Sequence, residues 1–357
     1  MINRICVFCN GYPTDSQPIY SFIETLLVEF GRKGVSCTVI APQPIPKNLL
    51  HKSYLREKKW IRTVGEVQIK IYQPYYTSLS KIGSRGLNQQ CFEHVAETTF
   101  NKLYENGERF DIVYGHFWSC GLLAAKIGKA YQIPSFVANG ESQIDFKRLK
   151  KNSIYKESVL GVISVSSKSK QETMSLGLAK ESQITVLPNA IDSDLFYPMD
   201  KRAARKELGI DPALFVICFV GGFIERKGSL RVSQALDQLE DVYSFFIGTG
   251  KCVPDCKNRL YTGVVPHERI PVFLSAADVF VLPTLNEGCC NAVIEALSCG
   301  CPVISSDCAF NFDILDETCS ILINPNSVEA IRTAIDKMRN DGQYRGRLAE
   351  GMPCCFP

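Results

Sequence analysis

Two glutamates eight positions apart are the residues whose type and spacing most clearly suggest chemistry. Glu287 lies in the loop LPTLNEG, and Glu295 lies in the apolar segment NAVIEALS. A carboxylate among apolar residues is costly unless it has partners, and an ion pair or a local cap would satisfy that need. A pair of ligand hydroxyl groups is the better explanation, because a carboxylate accepts two such donors well. We therefore predict that Glu295 binds ligand hydroxyls and that Glu287 reaches farther along the same ligand.

The segment between the two glutamates predicts the start of a helix. The helix is expected to begin near Asn291 and to end at Gly300, since Pro302 prevents its continuation. The backbone N–H groups of Cys289, Cys290 and Asn291 would then point outward at the positive end of the helix dipole. This arrangement predicts a binding site for a phosphate.

A second loop, FVGGFIERKGSL, has the composition of an anion site. The pair Gly221-Gly222 follows a strand, and Lys227 stands just before a helix for which Ser229 is the expected N-cap. A lysine at a helix start often faces only water. The glycines let a ligand approach the backbone, which favours a phosphate-binding role for the lysine. A third loop, YTGVVPHE, gives a weaker signal for a base or ribose contact.

Other candidate motifs argue against a metal or a dinucleotide. The Asp-Ser-Asp triplet at 192–194 lies between PNAI and LFYP rather than at the end of a buried strand. The C-x2-C at 6–9 and the C-x3-C at 252–256 have no second knuckle and no histidine at ligand spacing, so buried thiols explain them better. Gly-Thr-Gly at 248–250 lacks the third glycine and the following helix of a dinucleotide fingerprint. We expect neither a metal nor a cofactor.

The elements that must position these residues alternate between strand-like and helix-like runs. Strands are predicted at 4–9, 35–42, 67–72, 111–115 and 159–166, with helices over 18–34, 89–106, 118–131 and 142–156. The pattern breaks at 184–200, which holds two prolines and three aspartates, and a fresh alternation begins at 211. Such alternation predicts an α/β fold with two Rossmann-like parallel-sheet domains facing each other across a cleft. The predicted domains are 1–187 and 211–357, joined by a linker over 188–210.

Composition excludes several classes of protein. The chain has 357 residues, 45% apolar and 22% charged, with a formal net charge of +3. These values predict a globular protein of two domains and argue against nucleic-acid binding, which needs a strongly basic surface. No apolar run approaches the ~18 residues that a membrane span requires. The N-terminus lacks the pattern of a signal peptide, so a cytoplasmic location is expected.

Two basic stretches stand out against this nearly neutral background. Residues 47–62 carry six Lys/Arg and one Glu, with Tyr54 and Trp60 among them, and residues 145–156 carry five Lys/Arg and one Asp. A run of charge usually marks a solvated surface. Two such runs with aromatic residues in one domain also predict docking on an anionic membrane leaflet, at its inner face.

These motifs together resemble a known family. The E-x7-E of NEGCCNAVIEALSCGCPVIS, the lysine loop FVGGFIERKGSL and the passage ISVSSKSKQETMSLGLAKESQITVLPNAIDSDLF are similar to the retaining glycosyltransferases of family four. That family, glycosyl transferases group 1, has the two-domain GT-B fold, and the resemblance covers nearly the whole chain. It implies transfer of a sugar, with retention, from a nucleoside-diphosphate sugar to a glycan or lipid-linked acceptor. Cell-surface polysaccharide biosynthesis is the expected setting.

The resemblance also implies roles for individual residues. Glu295 would hold the ribose hydroxyls, Glu287 would contact the donor sugar, and Lys227 would neutralise the leaving diphosphate. The remaining donor-binding positions are Gly221, Gly222, Arg226, Gly288, Cys289, Cys290 and Asn291. The first domain would bind the acceptor, with Asn139, Gly140, Ser16 and Gln17 lining the sugar or acceptor cleft. No general base is evident, which fits family members in which the leaving phosphate takes the acceptor's proton.

Three departures from the family pattern keep two alternatives open. Gly222 stands where the family usually has arginine, and Asn139-Gly140 stands where it usually has His-Gly. The segment RLAEGMPCCFP is unlike the helix with which family members usually end. A catalytically impaired subunit that binds a sugar nucleotide would explain these departures. A nucleotide-sugar epimerase is the other alternative. The sequence does not indicate the sugar, the base, the acceptor, or the oligomeric state.

Overall fold

The computed structural model describes residues 2–14, 20–45, 57–78, 85–144 and 161–351. The chain divides into two compact units. The first unit comprises Met1–Val165 and Ser169–Leu187, and the second comprises Ser166–Lys168 and Pro188–Pro357. Each unit is built on a mainly parallel sheet with helices packed against it, so the predicted fold class is confirmed.

The described residues form the following helices and strands. The strands are β1 (Arg4–Phe8), β2 (Ser36–Ile40), β3 (Gln43–Pro44), β4 (Lys59–Val64), β5 (Val67–Tyr72), β6 (Tyr75–Tyr76), β7 (Ile112–His116), β8 (Ser135–Asn139), β9 (Gly161–Ser164), β10 (Ile184–Val186), β11 (Phe215–Val220), β12 (Val242–Ile247), β13 (Arg259–Gly263), β14 (Val279–Leu282), β15 (Val303–Ser306) and β16 (Ser320–Ile323). The helices are α1 (Ser21–Arg32), α2 (Arg85–Glu105), α3 (Trp118–Tyr131), α4 (Ser167–Ser175), α5 (Lys201–Leu208), α6 (Ser229–Leu236), α7 (Ile270–Ala276), α8 (Asn291–Ser298), α9 (Val328–Asn340) and α10 (Gly342–Glu350).

The sheet of the first unit has eight strands in the order β10-β9-β8-β7-β1-β2-β5-β4. Its central strands are apolar on both faces, as RICVF and SCTVI illustrate, because helices cover both sides of a parallel sheet. The strand order reverses between β1 and β7, which pair directly, so this is the topological switch point of the sheet. Parallel sheets bind ligands beyond the carboxyl ends of their strands at such a point.

Two strands of this sheet, β4 and β10, were not predicted, and β10 occupies the start of the segment 184–200 where the predicted alternation breaks. The sequence suggested an irregular basic stretch up to residue 62, but β4 pairs antiparallel with β5 at the sheet edge. Trp60 packs edge-on against Tyr12, and Arg62 donates to the Glu24 carboxylate at 2.6 Å. The described part of the 47–62 stretch is therefore a paired edge strand, while 46–56 and nearly all of the predicted helix 142–156 lie outside the described residues.

The sheet of the second unit has six parallel strands in the order β13-β12-β11-β14-β15-β16. Counted within the unit, this is the order 3-2-1-4-5-6 of dinucleotide-binding folds. The reversal lies between β11 and β14, which pair directly. The lysine loop leaves β11 and the Glu287 loop leaves β14, so the topology brings the two predicted loops to the position where such sheets bind ligands.

The predicted linker was wrong over its second half. Residues 201–208 form α5, whose N-cap Asp200 accepts a hydrogen bond from the Ala203 N–H at 2.8 Å. The helix is held by Arg205, which is 4% exposed and donates to the Asp278 carboxylate at 2.7 Å. Asp200, one of the aspartates that suggested a linker, is the N-cap of this helix. Aspartate is favoured both at helix N-caps and in turns, so its presence does not distinguish the two.

The helix α3 and the strand β5 match their predicted bounds, and most of the other predicted elements that the structure describes differ from their predicted bounds by a few residues. The helix α10 was not predicted, and Asp341 caps it by accepting from the Tyr344 N–H at 2.8 Å. Among the described residues, no helix has both the length and the apolar character needed to cross a bilayer.

Candidate functional site

The lysine loop forms a compact turn between β11 and α6. Glu225–Lys227 make one turn of 3-10 helix, and Gly228 then adopts a left-handed φ of 83° as the N-cap of α6. A β-carbon at Gly228 would lie 2.9 Å from the carbonyl oxygen of Pro283, so only glycine lets this loop touch the end of β14. Ser229, the expected N-cap, is the first helical residue instead, and its hydroxyl donates to the Cys252 carbonyl at 2.7 Å.

The glycine pair at the start of the loop packs against Gly248-Thr249-Gly250. Gly221 donates its N–H to the Ile247 carbonyl, and Phe223 donates to the Thr249 carbonyl at 2.8 Å. A β-carbon at Gly248 would lie 2.0 Å from the Gly221 carbonyl oxygen. The Gly-Thr-Gly motif therefore allows two backbone segments to approach each other, whereas nothing within 3.9 Å would meet a β-carbon at Gly222.

Both cations of the lysine loop converge on Glu287. The Oε1 atom of Glu287 lies 2.5 Å from an Arg226 guanidinium nitrogen and 2.8 Å from the Lys227 Nζ. It also accepts the Thr284 hydroxyl at 2.7 Å. Arg226 donates in addition to the Asn286 carbonyl. Glu287 is 8% exposed, so its charge in this buried position is balanced by two cations from a loop about 60 residues away in sequence.

The loop that carries Glu287 is held from several sides. Leu285 donates its N–H to the Arg226 carbonyl at 2.8 Å, and the Ser306 hydroxyl, at the end of β15, donates to the Thr284 carbonyl at 2.5 Å. Lys168, which belongs to the same unit, donates its Nζ to the Asn286 side-chain oxygen at 2.6 Å. Neither Lys168 nor Thr284 was a predicted site residue, because only their contacts in the folded structure show that they hold the Glu287 loop.

Glu295 is not part of this cluster and pairs with a histidine instead. Its Oε1 lies 3.6 Å from the Nε2 of His267, and this neighbouring carboxylate raises the pKa of His267 above its usual value. The His267 ring packs edge-on against Phe196. His267 comes from the predicted third loop, YTGVVPHE, so the structure brings the second and third loops together at Glu295.

The start of α8 connects the two glutamates. Its N-cap is Cys290, and the backbone N–H groups of Gly288, Cys289, Cys290 and Asn291 donate to no group among the described residues. Such N–H groups at the positive end of a helix can bind an anion. Asn291 is oriented by Asn189, whose side-chain amide donates to it at 2.7 Å. Asn189 belongs to the PNAID passage, so the structure brings that passage into contact with the start of α8.

The thiols at this position are not nucleophiles. Burial raises the pKa of Cys289 to about 12 and that of Cys290 to about 11, so both are neutral near pH 7. The Asp-Ser-Asp triplet is an exposed turn in which the Asp192 carboxylate accepts the Asp194 N–H at 3.0 Å. Within the ranges that the structure describes, no group of three or more His, Cys, Asp or Glu side chains could hold a metal ion.

The predicted residues of the first unit occupy a different environment. Asn139 is fully buried and donates its amide to the Ser169 carbonyl and to the Thr173 hydroxyl at 2.8 Å, so it supports α4. Gly140 follows at the carboxyl end of β8, where a β-carbon would lie 3.3 Å from the Phe117 ring. Ser16 and Gln17 lie outside the described residues. Ligand contacts by these four residues remain predictions.

Two titratable groups beside them escaped the sequence analysis. Burial lowers the pKa of His116, at the end of β7, to about 4. Burial also raises the pKa of Glu141 to about 7, although the Trp118 N–H donates to its Oε1 at 2.5 Å. Glu141 directly follows the Asn139-Gly140 pair, and only its burial in the fold distinguishes it from any other polar loop residue.

The chain is similar to known glycosyltransferases in sequence. Residues 215–341 match the family model described as Glycosyl transferases group 1. The chain is 28% identical to a putative teichuronic acid biosynthesis glycosyltransferase of Bacillus subtilis, TuaC, over 98% of this chain and 92% of the relative. It is 26% identical to an Escherichia coli UDP-Gal:alpha-D-GlcNAc-diphosphoundecaprenol alpha-1,3-galactosyltransferase, over 66% of this chain and 67% of that protein.

Solved structures show the same fold. Sucrose-phosphate synthase from Thermosynechococcus elongatus superposes with a TM-score of 0.77 at 18% identity, covering 98% of this chain and 92% of that one. Anabaena HepE in complex with UDP-glucose gives a TM-score of 0.71 at 14% identity, covering 98% and 93%. The shared fold and the match to Glycosyl transferases group 1 over residues 215–341 support a glycosyltransferase with the GT-B fold. The second unit carries the region that matches Glycosyl transferases group 1.

Proposed function

We propose that this protein transfers a sugar from a nucleoside-diphosphate sugar, with retention at the anomeric carbon, to a glycan or lipid-linked acceptor in cell-surface polysaccharide biosynthesis. One observation carries the donor assignment. Arg226 and Lys227 share a single carboxylate oxygen of Glu287, next to a helix start whose first N–H groups have no described partner.

This cluster has a surplus of positive charge for an anionic ligand. Two cations face one carboxylate, and the N–H groups of Gly288 to Asn291 add the partial charge of the helix dipole. A diphosphate would take these donors, because its oxygens accept more of them than Glu287 Oε1 can. Arg226 supplies a cation in a loop that has Gly222 at the family's usual arginine position, so the loop retains two positive side chains.

The two glutamates divide the donor between them. Glu287 accepts the Thr284 hydroxyl beside the two cations, and we assign it to the hydroxyls of the donor sugar. Glu295 lies within α8 beside His267, and we assign it to the ribose hydroxyls. A nucleoside-diphosphate sugar carries ribose, diphosphate and sugar in that order, which matches Glu295, the helix start and Glu287.

In the transfer step, one bond to the anomeric carbon breaks and another bond to the same carbon forms. The bond from the anomeric carbon to the phosphate oxygen breaks, and the acceptor hydroxyl forms a new bond on the same face. The hydroxyl proton goes to the leaving phosphate oxygen. Negative charge grows on the diphosphate during this step, so Lys227, Arg226 and the α8 N–H groups stabilise the transition state where charge develops.

The names of the relatives support the setting of the reaction. The Bacillus subtilis relative is named for teichuronic acid biosynthesis, and the Escherichia coli relative for a UDP-linked donor and a diphosphoundecaprenol-linked acceptor. We extend this chemistry to the present chain, with a cytoplasmic location at the inner face of a membrane. Of the two basic stretches, 145–156 and most of 47–62 lie outside the described residues. Sedimentation with anionic vesicles at physiological salt tests this location, and a protein that stays in the supernatant contradicts it.

A thermal-shift panel of UDP-, GDP- and ADP-sugars tests the donor assignment. We expect one nucleotide class to raise the melting temperature of the wild type and to have little effect on Glu295→Ala. The ribose hydroxyls lose a charged acceptor in that variant, which corresponds to about a tenfold loss of affinity or more. Glu240→Ala, which removes an exposed carboxylate from the same unit, is the matched control and should respond as the wild type does.

A second candidate is a catalytically impaired subunit that binds a sugar nucleotide for a partner. Gly222 at the usual arginine position is the observation that favours it. Turnover by the purified protein alone excludes this candidate. Donor binding without turnover of any acceptor supports it. An epimerase would convert the donor in the absence of an acceptor, so analysis of donor-only reactions decides that case.

A further inference from the structure

A cavity of about 520 Å³ lies at the carboxyl edge of the second sheet, beside the Glu287 loop. It is formed by the residues that follow three neighbouring strands, β14, β15 and β16. Its lining residues are Leu285, Asp307, Cys308, Asn324, Pro325 and Asn326. Cavities of this size at the carboxyl ends of parallel strands are the usual positions for small-molecule binding.

The cavity is connected rigidly to the donor site. Leu285, in its wall, donates its N–H to the Arg226 carbonyl and lies two residues before Glu287. The Ser306 hydroxyl ties the end of β15 to Thr284, and the Asp307 N–H donates to the Ile323 carbonyl at 2.8 Å. A ligand in the cavity would therefore be held at a fixed position relative to the sugar-binding glutamate.

The lining has the chemistry of a site for a neutral, hydroxyl-rich ligand. No lysine, arginine or histidine is among the lining residues. Lys168 lies near enough to Cys308 to act on its pKa, but its ammonium group is outside the lining and donates to the Asn286 side chain and the Glu287 carbonyl. A phosphate or carboxylate would therefore have no cation of the lining to pair with. The exposed Asp307 carboxylate takes part in no hydrogen bond or ion pair with the described residues. Leu285 and the buried Pro325 supply an apolar surface, and a pyranose ring presents both an apolar face and hydroxyl donors.

The two asparagines add amide groups to the lining. The Asn324 side-chain oxygen accepts the Asn326 N–H at 3.0 Å, which orients the Asn324 amide. The NH2 groups of Asn324 and Asn326 donate to no described residue, so both can donate to sugar oxygens. Cys308 is not reactive, because burial and the nearby Asp307 charge raise the pKa of its thiol. The cavity is therefore suited to binding rather than to covalent chemistry.

We infer that this cavity is a subsite for an uncharged sugar residue of the acceptor glycan, away from the residue that accepts the new linkage. The inference rests on the proposed glycosyltransfer, because it supplies a reason for a second sugar site near the donor. Asp307 accepts hydroxyl groups of that sugar, the asparagine amides donate to its oxygens, and Pro325 and Leu285 contact its apolar face.

Saturation-transfer NMR on the full chain tests the subsite with maltotriose and chitotriose as neutral probes and trigalacturonate as the anionic probe. We expect signals from at least one neutral trisaccharide and weaker signals from trigalacturonate. Asp307→Ala and Asn326→Ala should each weaken the binding of the neutral probe about 5- to 10-fold, as the loss of a hydrogen bond to a sugar predicts. Glu317→Ala, an exposed carboxylate outside the lining, should bind as the wild type does.

Three outcomes would overturn the inference. They are the absence of binding by every neutral probe, unchanged binding in both cavity variants, and preferential binding of trigalacturonate. The nucleotide-sugar thermal shift of Asp307→Ala should equal that of the wild type, since Asp307 is not part of the donor cluster. A wild type that binds donors but no trisaccharide contradicts only the subsite, whereas one that binds no donor contradicts the proposed function itself.

Discussion

The ionisable groups at the carboxyl edges of the two sheets have different surroundings. In the second unit, Glu287 pairs with the cations Arg226 and Lys227, and Glu295 lies beside His267, whose pKa it raises. In the first unit, burial is the largest cause of the altered pKa values of His116 and Glu141. It lowers the pKa of His116 to about 4 and raises that of Glu141 to about 7, which favours the neutral form of both groups.

This difference fits the ligands proposed for the two edges. A site for a diphosphate needs charged groups that are already partly desolvated and held in place before the ligand binds. A site for acceptor hydroxyls needs neutral donors and acceptors, since an unpaired buried charge is costly. The same sheet architecture therefore supports either kind of site, and the side chains at the strand ends decide which.

The largest expected effect comes from removing a cation of the second unit. Lys227→Ala should lower kcat/KM for sugar transfer by about 10²- to 10³-fold, because the leaving diphosphate loses a charge that acts in the transition state. Steady-state kinetics on purified protein measure it. Lys206→Ala removes an exposed lysine from α5 and should leave the rate unchanged. A rate within twofold of the wild type in Lys227→Ala would show that the paired charges do not serve the leaving group.

A smaller effect is expected in the first unit from Glu141→Gln. The pKa of Glu141 is raised to about 7 in the folded state, so the folded protein holds a proton that the unfolded chain releases near pH 4.5. The contribution of Glu141 to the free energy of unfolding is therefore fully present below pH 4.5. It is lost as the pH rises through 7, and the loss amounts to about 3 kcal/mol at most. Glutamine still accepts from the Trp118 N–H but has no proton to lose.

Denaturant unfolding of both proteins at pH 5 and pH 8 measures this effect. The wild type should lose more stability than Glu141→Gln between these two values. Glu105→Gln, which changes an exposed glutamate of α2, should follow the wild type. Parallel pH profiles for the wild type and Glu141→Gln would mean that the Glu141 carboxyl is not held neutral by burial.

The smallest effect is in the titration of the two histidines. NMR of the imidazole C–H signals should give a pKa near 4 for His116 and a raised pKa for His267. Glu295→Gln should lower the pKa of His267 toward its ordinary value and leave His116 unchanged. The stability that His267 gains from Glu295 is present at low pH and is lost as pH rises through the raised pKa. Similar pKa values for both histidines would remove the contrast between the two edges.

Much of this arrangement was predictable from local sequence patterns. The helix α3, the parallel strands around Gly221 and Pro283, and the start of a helix at Asn291 follow from hydrophobic periodicity with glycine and proline at the ends. The linker 188–210 was mispredicted because Asp200 as a helix cap has the same composition as a turn. The edge strand β4 was not predicted because its Lys and Arg residues drew attention to its charge. Its side chains alternate between exposed and partly buried positions, which is the pattern of an edge strand.

The sequence by itself determined the two α/β units and the identities of the charged residues in each loop, because periodicity and turn chemistry are local. Only the tertiary structure decided which charges meet. Arg226 and Lys227 contact Glu287 because the strand order places β11 beside β14. His267, in the loop after β13, contacts Glu295 on α8. Burial also gives His116 and Glu141 their altered pKa values. A pKa depends on desolvation and on neighbouring charges, which arise only from packing between segments distant in sequence.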